Sequence, residues 1–162
     1  PFEGTSNQLR RQLTYLRALR TLPGLSIHRG QFRESTKRRP LVNAPTTGQS
    51  RYVEIMDTEE KRTDVNIATW LLIDAHSNDF EQALLFCNDA DLALPVRLTR
   101  DMFNLPVGVV NPNTRPRAST PVALLGAATF IRHLRRPTLR NCQLPQKLSD
   151  VRGNITKPSA WN

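Results

Sequence analysis

Cysteine is scarce in this chain of 162 residues, which has only Cys87 and Cys142. Two thiols cannot build a disulfide scaffold, and without a CxxC or a Cys/His spacing they do not read as a zinc site. A reducing, cytoplasmic environment is the simplest expectation. Long apolar runs are missing as well. No stretch approaches the ~18 residues that a membrane-spanning helix needs, so no membrane partner is expected. The opening Pro1-Phe2-Glu3-Gly4 has no signal-like apolar segment and no initiator Met, which suggests a chain beginning partway through a gene product. Aromatic residues make up 6% and seldom interleave with basic ones, so a base-stacking platform is not evident. There is no GxSxG elbow, no GxxxxGK(S/T) loop and no GxGxxG fingerprint. His28, His76 and His133 lie too far apart for metal spacing, and Cys87, ending an apolar run, reads as an inert buried thiol.

Positive charge is what the chain has in plenty. Lys and Arg total 23 against 14 Asp and Glu, for a formal charge of +9 and a pI near 10.7. Such a surplus favours an acidic partner, most often nucleic acid and less often an anionic membrane surface. Hydrophobic residues reach 38%, enough for one domain with a proper core.

Periodicity supplies the organisation. Leu9, Leu13, Leu16 and Leu19 predict a helix over 9–22 with Arg10, Arg11, Arg17 and Arg20 on its other side, stopped by Pro23-Gly24. Residues 25–28 alternate like a short strand. Residues 33–50, with Lys37-Arg38-Arg39-Pro40 and Pro45-Thr46-Thr47-Gly48, read as a solvated loop, and 51–56 as a strand. Ala68, Leu71, Leu72 and Ala75 predict a helix over 63–75. Ala83 to Cys87 reads as a strand buried on both faces, the mark of a parallel sheet, and Leu105 to Val110 as another buried strand. Asp91 can cap a helix over 92–102. A basic, proline-containing stretch follows Asn111-Pro112; residues 129–134 form a last strand, and 144–162 an irregular tail. Alternating strands and helices indicate α/β with right-handed crossovers.

Function should gather beyond the carboxyl ends of such strands. Asn88-Asp89-Ala90-Asp91 lies there, with two carboxylates spaced i, i+2 at a turn. Asp64, four residues before Ala68, is expected on the buried face of its helix and near the same edge. Three converging aspartates without a cation would repel, and a hard divalent ion such as Mg²⁺ or Mn²⁺ resolves that repulsion. Each residue also has a plainer explanation. Asp91 suits an N-cap, Asp64 suits its helix dipole, and Glu59 and Glu60 suit a solvated helix start. Lys61 can neutralise the acids or contact phosphate. Basic residues recur in the first helix, at Lys37–Arg39, and at Arg132, Arg135, Arg136 and Arg140, which suits a phosphate-tracking surface.

These segments resemble the bacterial NYN family, related to PIN-like nucleases. The carriers are Glu60-Lys61-Arg62-Thr63-Asp64-Val65 through Ala68 (family pattern EKGxDVxxA), Leu71-Leu72-Ile73-Asp74-Ala75 (LxxDA) and Cys87-Asn88-Asp89-Ala90-Asp91-Leu92 (S-N/G-D-S-D-L/F). Weaker likeness extends to Tyr15–Leu19, Pro106-Val107-Gly108 and Gln143-Leu144-Pro145. The resemblance implies a Rossmann-like three-layer α/β/α sandwich with a mainly parallel sheet, spanning residues 1–143 ahead of the 144–162 tail. It further implies Mg²⁺- or Mn²⁺-dependent endoribonuclease activity. Asp64, Asp89 and Asp91 would be catalytic and hold the metal with Glu60, and Lys61, Arg62, Asn88, Arg132 and Arg135 would contact RNA. Three departures stand out. Nothing matches the family's opening strand with its Y-I/V-D-G-F/Y-N motif, so the N-terminal part and one aspartate are expected to be missing. Cys87 replaces a serine and Arg62 a glycine. These departures keep a second expectation open, a non-catalytic RNA-binding or regulatory module, and the carboxylate cluster also suits a phosphatase or nucleotide hydrolase. A homo-oligomer is left open.

Overall fold

A computed structural model describes residues 3–43, 50–115 and 119–161. The chain divides into two compact units, one of residues 1–27 with 134–162 and one of residues 28–133. The Pro45–Gly48 loop and most of the basic stretch after Pro112 fall outside the described residues.

In the larger unit, β1 (Gln31–Pro40) and β2 (Tyr52–Lys61) form an antiparallel hairpin with ten paired residues on each strand, Gln31 opposite Lys61 and Pro40 opposite Tyr52. The predicted loop over 33–50 is therefore largely strand, and the predicted strand over 51–56 runs on to Lys61. Cross-strand charges explain this: Lys37 lies 3.0 Å from Asp57 and also pairs with Glu59, and Arg39 reaches Asp57 at 3.6 Å. Residues 25–28, predicted as a strand, are irregular.

α2 (Thr63–His76) follows as its spacing requires. β3 (Ala83–Phe86), β4 (Val107–Asn111) and β5 (Phe130–His133) then make a parallel sheet in that order, linked through a 3-10 turn at Ala90–Leu92, α3 (Ala93–Phe103) and α4 (Val122–Ala127). One face of this sheet is the core. Cys87, Val107 and Val109 pack there with Leu92, Val96, Leu124 and Ala127, joined by Ile67, Ala68 and Leu71 of α2. The opposite face stays open, with Leu84 55% and Phe86 60% exposed. That overturns the reading of Ala83 to Cys87 as buried on both faces, whereas β4 is buried along its whole length as expected.

The smaller unit holds α1 (Glu3–Leu19), α5 (Arg136–Asn141), and an antiparallel pair, β6 (Lys147–Asp150) and β7 (Gly153–Thr156). α1 starts and stops earlier than the predicted 9–22. The tail predicted to be irregular thus contains a hairpin, turned at Val151-Arg152 with Gly153 at φ +105°. Glycine holds that left-handed conformation without a Cβ clash.

The expected three-layer α/β/α sandwich on one mainly parallel sheet is incorrect. The described residues hold three separate sheets of two, three and two strands, and only the middle one is parallel. The charged sequences of β1 and β2 satisfy their backbones against each other and add no strand to the apolar core. Within the larger unit, residues of α2, α3 and α4 pack into the core against the parallel sheet.

Candidate functional site

β3 delivers Cys87, Asn88 and Asp89 to its carboxyl end, and β4 ends beside it at Asn111. Asp89 is the N-cap of the 3-10 turn, its Oδ1 accepting from the Asp91 backbone N–H at 3.0 Å. The capping role expected of Asp91 therefore belongs to Asp89, and the Asp91 side chain is left for other work. Asp64 opens α2, where its charge also suits the helix dipole. Its side chain is exposed, not on the buried face as spacing suggested. Two residues earlier, Arg62 joins β2 to α2 in a left-handed conformation at φ +82°.

The carboxylates still sense one another. The Asp64 carboxyl is pushed above its ordinary range, first by partial desolvation and then by repulsion from Asp89, Glu60 and Asp91. Glu60, at the end of β2, accepts from the Thr63 hydroxyl. Gly30 runs so close that a Cβ there would meet Glu60 Oε1 and Thr63 Oγ1. No ion pair of the described residues involves Asp64, Asp89, Asp91 or Glu60. Among the described residues no set of three or more His, Cys, Asp or Glu side chains is gathered as a metal centre. The acidic edge is thus a loose set of oxygen donors with no ion-pair partner among the described residues. That chemistry fits Mg²⁺ or Mn²⁺, since Mg²⁺ commonly takes only one or two carboxylates and keeps its waters.

An amide network backs this edge. Asn111, fully buried, donates from Nδ2 to Ser119 O at 3.3 Å and Thr120 Oγ1 at 3.1 Å, and accepts at Oδ1 from Asn113 N at 2.9 Å. Asn88 donates to the same Ser119 carbonyl at 3.2 Å, while its own Oδ1 is buried without a partner. Sequence reasoning listed Asn88 but missed Asn111, Ser119 and Thr120. The available signal was an asparagine directly after each of two apolar strands. Cys87, next to Asn88, is buried, and its thiol is pushed up chiefly by burial, with Asp89 and Asp64 adding repulsion. Beside Asp91 an open hollow of about 440 Å³ is lined by Arg97, Leu94 and Val122 among others.

The basic candidates are more scattered. Lys61 is paired with Glu59 at 2.8 Å. Arg132 stacks on Phe130, its guanidinium carbon 5.2 Å from the ring centre, and donates to Ile131 O. Arg62 is exposed and forms no ion pair among the described residues. Arg135 belongs to the smaller unit, where it is the N-cap residue of α5.

No protein-family model matches the chain. Over 114 residues it is 29% identical to 6-hydroxy-3-succinoylpyridine 3-monooxygenase HspA of Pseudomonas putida (strain DSM 28022 / S16), covering 70% of this chain and 36% of that protein. The chain therefore spans little more than a third of the length of this relative, which is an enzyme. Among solved structures, a protein of unknown function from Vibrio parahaemolyticus RIMD 2210633 aligns with a TM-score of 0.48 and 19% identity, over 77% of this chain and 61% of that one.

Proposed function

We propose that this chain carries a metal-dependent site for RNA phosphodiester hydrolysis, of the NYN and PIN-like type that its acidic motifs resemble. The observation that carries the reading is the acidic edge: Asp64 is repelled by Asp89, Glu60 and Asp91 and has no ion-pair partner among the described residues of a protein of charge +9. Asp64, Asp89 and Asp91 would hold Mg²⁺ or Mn²⁺ with Glu60 flanking, and the bound ion would stabilise charge on a phosphate. The protein's own groups supply orientation. Asp89 is fixed by its bond to the Asp91 amide, and the Asn88 and Asn111 side chains pin the Ser119–Thr120 segment behind the edge. Arg62, two residues before Asp64, and Arg132 at the end of β5 would contact phosphate within the larger unit, and Lys61 must first leave Glu59. The glycine-type conformation at Arg62 supports the resemblance too, because the family pattern has glycine at that position.

The test is cleavage of labelled single-stranded RNA with Mn²⁺, with chelator, and by Asp89→Asn. Asparagine caps a helix as well as aspartate, so the variant should keep its fold. Metal-dependent cutting reduced by at least about a hundredfold in Asp89→Asn is expected, the usual scale for losing a group that positions transition-state charge. A folded wild-type chain that binds RNA yet never cuts it would sink the hydrolase and leave the non-catalytic binding module.

A second reading follows from the relative. A chain 29% identical to part of a monooxygenase could contribute to hydroxylating a substituted pyridine. Incubation with 6-hydroxy-3-succinoylpyridine, dioxygen and an electron donor, followed by mass spectrometry, decides it. A product with one added oxygen would favour this reading over the nuclease, and unchanged substrate alongside cleaved RNA would dismiss it.

A further inference from the structure

The smaller unit has a cavity that the acidic edge does not use. It measures about 210 Å³, with Ala18 of α1, Leu148 of β6 and Ile155 of β7 among its walls. Ala18 and Ile155 are only 8% and 5% exposed, so this part of the lining is dry and apolar. Four further wall residues, Tyr15, Gln143, Lys157 and Trp161, also line an adjoining hollow of about 310 Å³. Tyr15 and Trp161 meet edge to face there, their ring centres 6.0 Å apart at 87°. Both rings are partly exposed, at 46% and 39%, which leaves faces free to meet a visitor.

Among neutral polar neighbours that include Thr14, Gln143 and Thr156, Lys157 is the charged residue of this lining. Lys157 Nζ has Gln143 Oε1 as a partner at 3.3 Å, and no carboxylate among the described residues pairs with it. Gln143 Nε2 is already committed to Leu139 O at 2.7 Å. The ammonium therefore stands beside an apolar cavity with a neutral amide for company. An apolar chamber with two aromatic rings and a single cation at its opening matches a ligand with a flat apolar body and one negative charge. A phosphate ester, with its larger charge and several acceptor oxygens, would want a guanidinium fork or a cluster of cations instead.

We infer that this cavity is a binding site for a small aromatic monocarboxylate, its ring inside against Ile155 and Ala18 and its carboxylate at Lys157. The inference concerns the smaller unit alone and stands whether or not the RNA reading holds. The probe pair is hydrocinnamate and its uncharged amide, hydrocinnamide, titrated by calorimetry into the full chain at low salt. Ligands of this size bind in roughly the millimolar range or tighter when they bind specifically. The acid should bind about fivefold more tightly than the amide, the worth of one partly exposed ion pair, and lose that margin in high salt. Lys157→Met should abolish the preference while still binding the amide, which also shows that the variant is folded. Should Lys157→Met not fold, Lys157→Gln makes the same comparison with a hydrogen-bonding side chain in place. Trp161 gives a second readout by fluorescence, in a Trp70→Phe background that removes the other tryptophan. Equal binding of acid and amide, a preference that survives loss of Lys157, or no binding of either probe would each overturn the proposal.

Discussion

Arg62 joins the last pair of β2 to the first turn of α2 at φ +82° and ψ −12°. An L-residue there brings its Cβ against the backbone, at a cost of roughly 1–2 kcal/mol that glycine does not meet. Arg62→Gly should accordingly raise the stability of the chain by about 1 kcal/mol, seen as a higher urea midpoint with an unchanged slope. A lower midpoint would show that the arginine side chain returns more than the turn costs. At this scale the sequence was informative about chemistry and poor about direction. The i, i+2 spacing of Asp89 and Asp91 after an apolar run was enough to mark the acidic edge. Which of the two caps the turn depends on backbone angles at Asp89, and helical spacing alone did not show that Asp64 is exposed. Asn111, buried through a bond to a residue nine positions away, needed the fold to be seen at all.

Among the elements, β4 is the one on which the larger unit depends. It is buried along its length, and Gly108 at its second position lets the Phe130 ring lie across it, where a Cβ would collide with that ring and with Leu84. Gly108→Ala should displace Phe130, take Arg132 from its stacking partner, and cost about 1–3 kcal/mol, as overpacking generally does. Thermal unfolding followed by circular dichroism measures it; an unchanged midpoint would mean the ring turns aside freely on the open face. β4 and α2 were legible because continuous and 3.6-period apolar patterns report local burial. β1 was not. Gln31–Pro40 has little apolar pattern, and it becomes a strand only because Asp57 and Glu59 wait on another segment to pair with Lys37. β6 and β7 are four residues each, too short for alternation to register. The three-layer fold, implied by the resemblance, was wrong because the described strands form three separate sheets and β3 leaves Leu84 and Phe86 exposed.

For the molecule as a whole, a charge of +9 makes acid a particular stress, since every protonated carboxylate adds to self-repulsion. Arg17 and Asp150, 133 residues apart in sequence, bind the two ends of the smaller unit together. Arg17 donates Nε to Oδ2 at 2.7 Å and NH2 to Oδ1 at 2.5 Å, with a further bond to the Gly153 carbonyl at 2.9 Å. The Arg17 side chain holds the Asp150 carboxyl down at about 2, chiefly by this hydrogen bonding. The unfolded value is about 3.9, so the folded state binds fewer protons between the two and loses stability as pH falls through that window. Arg17→Ala should remove the contribution at pH 7 and flatten the fall between about pH 4 and 2, because Asp150 then titrates nearer its unfolded value. Thermal midpoints of the two proteins across that range test it; parallel curves would show that the pair does not link folding to acid.

Cys87 gives the parallel sheet a clock. Its sulfur is sealed between β3 and the helices and kept protonated by burial and neighbouring carboxylates, whereas Cys142 stands in solvent. A disulfide reagent will mark Cys142 within its ordinary reaction time and reach Cys87 only during moments when the sheet parts. Under reagent excess, the slow phase of labelling counts those openings one molecule at a time. The rate at which this core breathes can thus be read in native buffer, without denaturant.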